Sequence, residues 1–130
     1  MSRATRLVDY LGHIEQAAAD ACSFTAGMTK EAFLADKRTQ QAVTMSLIVV
    51  GEAATKLVLE HPDFAATHSE VPWSSMKGMR NRMAHGYWDV DLEIVWQTLQ
   101  SALPNLLAQL PAVTSDAIRM AQSRTAAPKA

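Results

Sequence analysis

Arg80 and His85 are the side chains in this 130-residue sequence best suited to do chemistry. A guanidinium stays charged, and its planar fork grips two phosphate oxygens at once. An imidazole titrates near neutral pH and can both take and give a proton. Both stand in Met79-Arg80-Asn81-Arg82-Met83-Ala84-His85-Gly86-Tyr87-Trp88, which also brings a phenol and a glycine. Lys77, Arg80, Arg82 and His85 follow one another without an intervening acid, and the acids return at Asp89, Asp91 and Glu93. The chain as a whole has 12 Lys and Arg against 13 Asp and Glu, a formal net charge of −1. A protein that coats nucleic acid through its phosphates would be more basic. Contact with phosphate, if made, must be local and must be made here.

The element that positions these groups reads as a helix. Trp73, Met76, Met79 and Met83 recur at helical spacing, and Gly86 is expected to end the helix in a left-handed conformation. Five helical positions turn about 140° and rise about 7.5 Å, so Arg80 and His85 do not share a face. For them to cooperate, either His85 has left the helix or a second chain supplies the other half of the site.

Arg80-x-x-x-x-His85-x-Tyr87 resembles the signature of the HepT-like branch of the HEPN superfamily. The similarity extends through Asp36-Lys37-Arg38-Thr39-Gln40-Gln41-Ala42-Val43, Gly51-Glu52-Ala53-Ala54, and Pro72-Trp73 through Asp89-Val90-Asp91-Leu92, and stops near Pro111. It implies an all-α, up-and-down bundle and a metal-independent endoribonuclease, the toxin of a two-component toxin–antitoxin module. It further implies a homodimer with paired Arg–His motifs, possible higher hetero-oligomers with the antitoxin, and RNA as substrate. The antitoxin is an MNT-type nucleotidyltransferase that transfers AMP to the motif tyrosine. Carried over by position, Arg80 and His85 become catalytic and Tyr87 the modified residue. Asn81, Arg82 and Lys77 are candidates for positioning RNA. No cofactor and no metal are expected.

Taken without that resemblance, the same residues read more plainly. An Arg–His pair at a helix end is ordinarily capping and solvation, and a tyrosine after a glycine is ordinarily a packing residue. A non-catalytic helical module is the competing function. Docked on a nucleotidyltransferase, it would use the basic patch on nucleotide phosphates or on an acidic surface of its partner.

The remaining composition suits a soluble single domain with a real core, 48% apolar and 19% charged. Five glycines and five prolines give little punctuation, which favours a few long helices. An antiparallel bundle of four to five helices follows. The lone Cys22 excludes an internal disulfide, is expected as a small buried residue, and points to the cytoplasm. No signal peptide is expected at the N-terminus, and the apolar run Leu47 to Val50 is too short to cross a membrane.

In order, the pattern predicts a helix from Thr5 to about Phe24, a turn after Thr29, and a long helix from Lys37 to Glu60 with Asp36 as its cap. The buried stripe of the long helix includes Val43, Leu47, Val50, Ala54, Leu57 and Val58. Gly51 inside it costs about 1 kcal/mol relative to alanine, which a close helix crossing would justify. Glu52 reads either as a solvent-facing acid or as a partner for Arg80 or Arg82. His61 to Val71 reads as a polar connection, its histidines lacking metal-pair spacing. The motif helix follows Pro72. A further helix from Asp91 to about Leu110 should kink at Pro104. Trp88 and Trp96 suit core or interface equally. Residues 1–111 are read as the domain and 112–130 as a partly helical or frayed extension.

Overall fold

Ser2 opens the first helix, its hydroxyl accepting from the Thr5 N–H at 3.1 Å, so α1 runs Arg3–Phe24. That is two residues earlier than the apolar spacing predicts, because a cap is polar and carries no periodic signal. The computed structural model describes residues 2–86 and 89–126, and over them it is all-α. Gly27, with φ 77°, turns the chain after α1 in the left-handed region that favours glycine. Thr29 then caps α2 (Lys30–Leu34) and Asp36 caps α3 (Lys37–Glu60), both as predicted.

Pro62 does more than stop α3. It is the first residue of α4 (Pro62–Thr67), a position where its missing N–H costs nothing. The stretch read as a polar connection is therefore partly helical, with Phe64 and Ala65 buried. A six-residue helix with one large apolar side chain is too short to show a period. After Pro72 comes α5 (Trp73–His85), which carries the motif.

The last predicted helix is longer and differently broken. α6 (Leu92–Gln97) passes through a π-helical turn, Thr98–Ala102, into α7 (Leu103–Ala126). The proline ring of Pro104 would press on the carbonyl four residues back, at Gln100. That carbonyl lies within the wider π turn, so the expected distortion falls ahead of the proline. α7 also continues through Pro111, and Val113 and Ala117 beyond it are buried in the common core.

α3 is the centre of an antiparallel bundle, packed between α1 and α5, with α7 closing against α1. Glu60 at the end of α3 meets Arg6 and Tyr10 near the start of α1. α5 also runs against α3, with Val58 and Trp73 lining one groove between them at one end and Thr44 and Ala84 lining another at the other. Leu47, Val50 and Leu57 are buried as predicted, each contributing roughly 1.5–3 kcal/mol by leaving water. Val58 is 37% exposed, because it falls at the margin of the buried stripe. α3 has the length and apolarity to cross a membrane, by length and composition alone. Its packing on two sides gives that apolarity a use in the core.

Candidate functional site

The motif helix is fixed at its start by Trp73, whose indole N–H donates to the Ala65 and His68 carbonyls at 3.2 and 3.1 Å. Met76 and Met83 bury its inner side. The rotation of α5 is thereby set, and with it the direction in which each polar residue leaves. Successive steps of four positions advance about 40°, so Lys77, Asn81 and His85 form one strip along the helix. Lys77 and His85 are exposed and Asn81 half-buried.

Arg80 lies on the side facing α3. A Cβ built on Gly51 would fall 2.2 Å from the Arg80 Cβ and 2.7 Å from the Met76 carbonyl oxygen. No side chain fits there, so the glycine of α3 is what lets the two helices meet at Arg80. The close crossing expected from Gly51 is present. Glu52, the next residue, places Oε1 2.9 Å from the Arg80 Nε. Of the two readings open for Glu52, the ion pair with Arg80 is the one observed. The Nε is buried and makes no aligned hydrogen bond, so the contact is one of charge rather than of a directed N–H. The Arg80 side chain keeps 20% of its surface in solvent.

Arg82 departs on the opposite flank, about 200° around from Arg80. It lines a cleft of about 270 Å³ with Met79, Asp89, Asp91 and Val95. The chain thus divides its basic patch. Lys77 borders a groove with Val58, Leu59 and Trp73 on the α3 side, whereas Arg82 faces α6. Tyr87, the expected modification site, and Trp88 lie outside the described residues. Trp96 is half-buried and its ring sits 5.5 Å from Phe33.

His85 is the last residue of α5, still helical, so it has not left the helix to approach Arg80. The Gly86 N–H closes the turn on the Arg82 carbonyl at 3.1 Å. Gly86 has φ −145°, however, not the left-handed value expected of it. The helix therefore ends without a left-handed residue.

Sequence reading passed over the groove beside the motif. Lys37, Gln41 and Thr44 from the start of α3 face Met83 and Ala84 across a space of about 560 Å³. The available signal was the block Asp36 to Val43. Part of that block is architectural: the Gln40 amide donates to the Phe33 and Leu34 carbonyls at 2.9 and 3.1 Å, closing the end of α2.

A second titratable cluster lies away from the motif. His68 sits between Glu70, at 3.1 Å from Nδ1, and Asp116, at 2.8 Å from Nε2. Burial pushes the imidazole pKa down, but the bonds and charges of the two carboxylates outweigh it and the net direction is up. Cys22 is half-buried, and burial pushes its thiol up. Among the described residues no group of three or more His, Cys, Asp and Glu side chains converges on one point.

Residues 14–113 match the family described as Ribonuclease HepT-like. The chain is 38% identical over 98 residues to a protein of Thermococcus cleftensis named "Probable ribonuclease HepT", covering 75% of this chain and 86% of the other. It is 36% identical over 97 residues to a protein of Methanocaldococcus jannaschii named "Putative RNase MJ0127", covering 75% and 78%. No solved structure matches the chain.

Proposed function

The chain belongs to the ribonuclease HepT-like family, and on that premise we propose that it is a metal-independent endoribonuclease, the toxin of a cytoplasmic toxin–antitoxin pair. One observation carries the reading. α5 stays helical through His85, so a single chain presents Arg80 and His85 about 140° apart. Beside Arg80, α3 turns Met45, Val49 and Leu59 outward at 62%, 38% and 79% exposure, all on the face that carries Glu52. A second copy laid on this face would cover them and bring two Arg80 and two His85 together about one axis.

Two of each is what the chemistry asks for. One imidazole takes the proton of a 2′-hydroxyl, whose oxygen attacks the adjacent phosphorus. The bond from phosphorus to the 5′-oxygen breaks, and that oxygen takes its proton from the second imidazole. A 2′,3′-cyclic phosphate and a 5′-hydroxyl are left. The guanidinium groups hold the non-bridging oxygens while negative charge grows on them. Lys77 and Asn81, on one strip with His85, would carry the neighbouring phosphates, and Arg82 a more distant one. Neutralisation by an MNT-type nucleotidyltransferase, with AMP joined to Tyr87 and pyrophosphate released from ATP, completes the proposal.

The test is cleavage of RNA by purified protein in the presence of a chelator. Cleavage that survives the chelator and disappears in both Arg80→Ala and His85→Ala supports the reading. Cleavage by either variant at the wild-type rate removes it.

A further inference from the structure

We propose that Glu52 is the positioning residue of this site, holding the Arg80 guanidinium by its Nε edge so that the terminal nitrogens are left for phosphate. The inference rests on the nuclease reading above. Three observations carry it. Glu52 Oε1 lies 2.9 Å from Arg80 Nε. The base of the arginine is packed against Gly51, where an added Cβ would lie 2.2 Å from Arg80 Cβ and 3.0 Å from Arg80 Cγ, which fixes where the side chain starts. Among the described residues, no hydrogen bond or ion pair engages the terminal nitrogens of Arg80.

Gly51 and Glu52 thus act on Arg80 from adjacent positions of one helix. The glycine sets its root and the carboxylate sets its head. An arginine has many rotamers, and confining it before substrate arrives places that ordering ahead of the transition state. Because the Nε contact is not an aligned hydrogen bond, charge is the property that matters at position 52. The carboxylate also offsets part of the positive charge of Arg80, so it should favour alignment over affinity.

These statements separate kcat from KM. With RNA as substrate, Glu52→Gln keeps the shape and loses the charge, and it should lower kcat by about 10- to 100-fold with KM unchanged or lower. Glu52→Asp, one methylene shorter, should recover part of the loss. A residue of merely structural importance would reduce the folded fraction and leave the kcat of folded protein alone. A second measurement is independent of cleavage. Nitrogen-15 relaxation of the Arg80 Nε–H should show an ordered side chain in the wild type and a mobile one in Glu52→Gln. Should the wild type cut no RNA, the nuclease reading fails and relaxation alone decides the role of Glu52. Wild-type kcat in Glu52→Gln, a rise in KM at constant kcat, or unchanged Arg80 order in that variant would overturn the proposal.

Discussion

Gly51 on α3 and Arg80 on α5 contend for the same space: a methyl group on Gly51 would lie 2.2 Å from the Arg80 Cβ. The second neighbour, the Met76 carbonyl oxygen at 2.7 Å, belongs to the backbone and cannot swing aside. Gly51→Ala gains about 1 kcal/mol of helix propensity. Overpacking of this kind costs about 1–3 kcal/mol and more where backbone must move. The loss should win. We expect melting by circular dichroism to fall by several degrees, and RNA cleavage to fall further than the lost folded fraction explains. A variant as stable and active as the parent would show that α5 can stand off α3 at no cost.

That contact marks where the sequence was legible and where it was not. The long helix from Asp36 and the motif helix after Pro72 were readable, because caps and a periodic apolar stripe are local signals. α4 was not, since one buried Phe64 in six residues makes no period. The break near Pro104 was foreseen but fell one turn early, because a π turn depends on how the helix meets the core. Gly51 announced a crossing without naming its partner. Which helix crosses, and that Glu52 consequently faces Arg80 and not Arg82, is fixed only by tertiary packing.

The proposed two-chain site predicts how chains should mix. If the proposed dimer forms, His85→Ala protein combined with wild type after unfolding and refolding gives dimers holding one His85. If one imidazole serves as base and the other as acid, these mixed dimers are nearly inactive, a loss of about 100-fold or more. Activity should then fall faster than the wild-type fraction. A fall in simple proportion would place a whole site in each chain.

Tyr87 follows His85 by two residues in sequence. AMP attached there would add a negative phosphate close in the chain to the imidazole proposed as catalytic, where it would repel RNA and could engage a guanidinium instead. We expect Tyr87→Phe to retain RNA cleavage and to escape neutralisation by the proposed nucleotidyltransferase partner. Intact mass of protein co-expressed with that partner should show AMP-sized additions on the wild type and none on Tyr87→Phe. Additions that persist on the variant would move the modification elsewhere.

Stability should also depend on pH, and the sign follows from His68. The imidazole bridges Glu70 and Asp116 while its ring lies 4.7 Å from Phe64, tying the end of α4 to α7. Its pKa in the folded protein is raised above the ordinary imidazole value of about 6.5. A raised value means the folded state binds the proton more tightly than the unfolded chain. The contribution is therefore complete below about pH 6.5 and is lost as pH rises through the folded value. On the acid side the sign reverses. The Thr39 hydroxyl and backbone N–H lower the pKa of Asp36, and the Tyr10 hydroxyl, with Arg6, lowers that of Glu60. Those contributions are complete above the ordinary carboxylate values of about 4 and fade as pH falls through the lowered ones. The melting temperature should accordingly peak between about pH 4.5 and 6.5. His68→Gln keeps a polar group in place but cannot titrate, so it should flatten the alkaline slope, and it should lessen the acid slope only in part, because His68 also helps lower the pKa of Glu70. An alkaline slope that survives in His68→Gln would assign it to another group and remove this bridge as a determinant of stability.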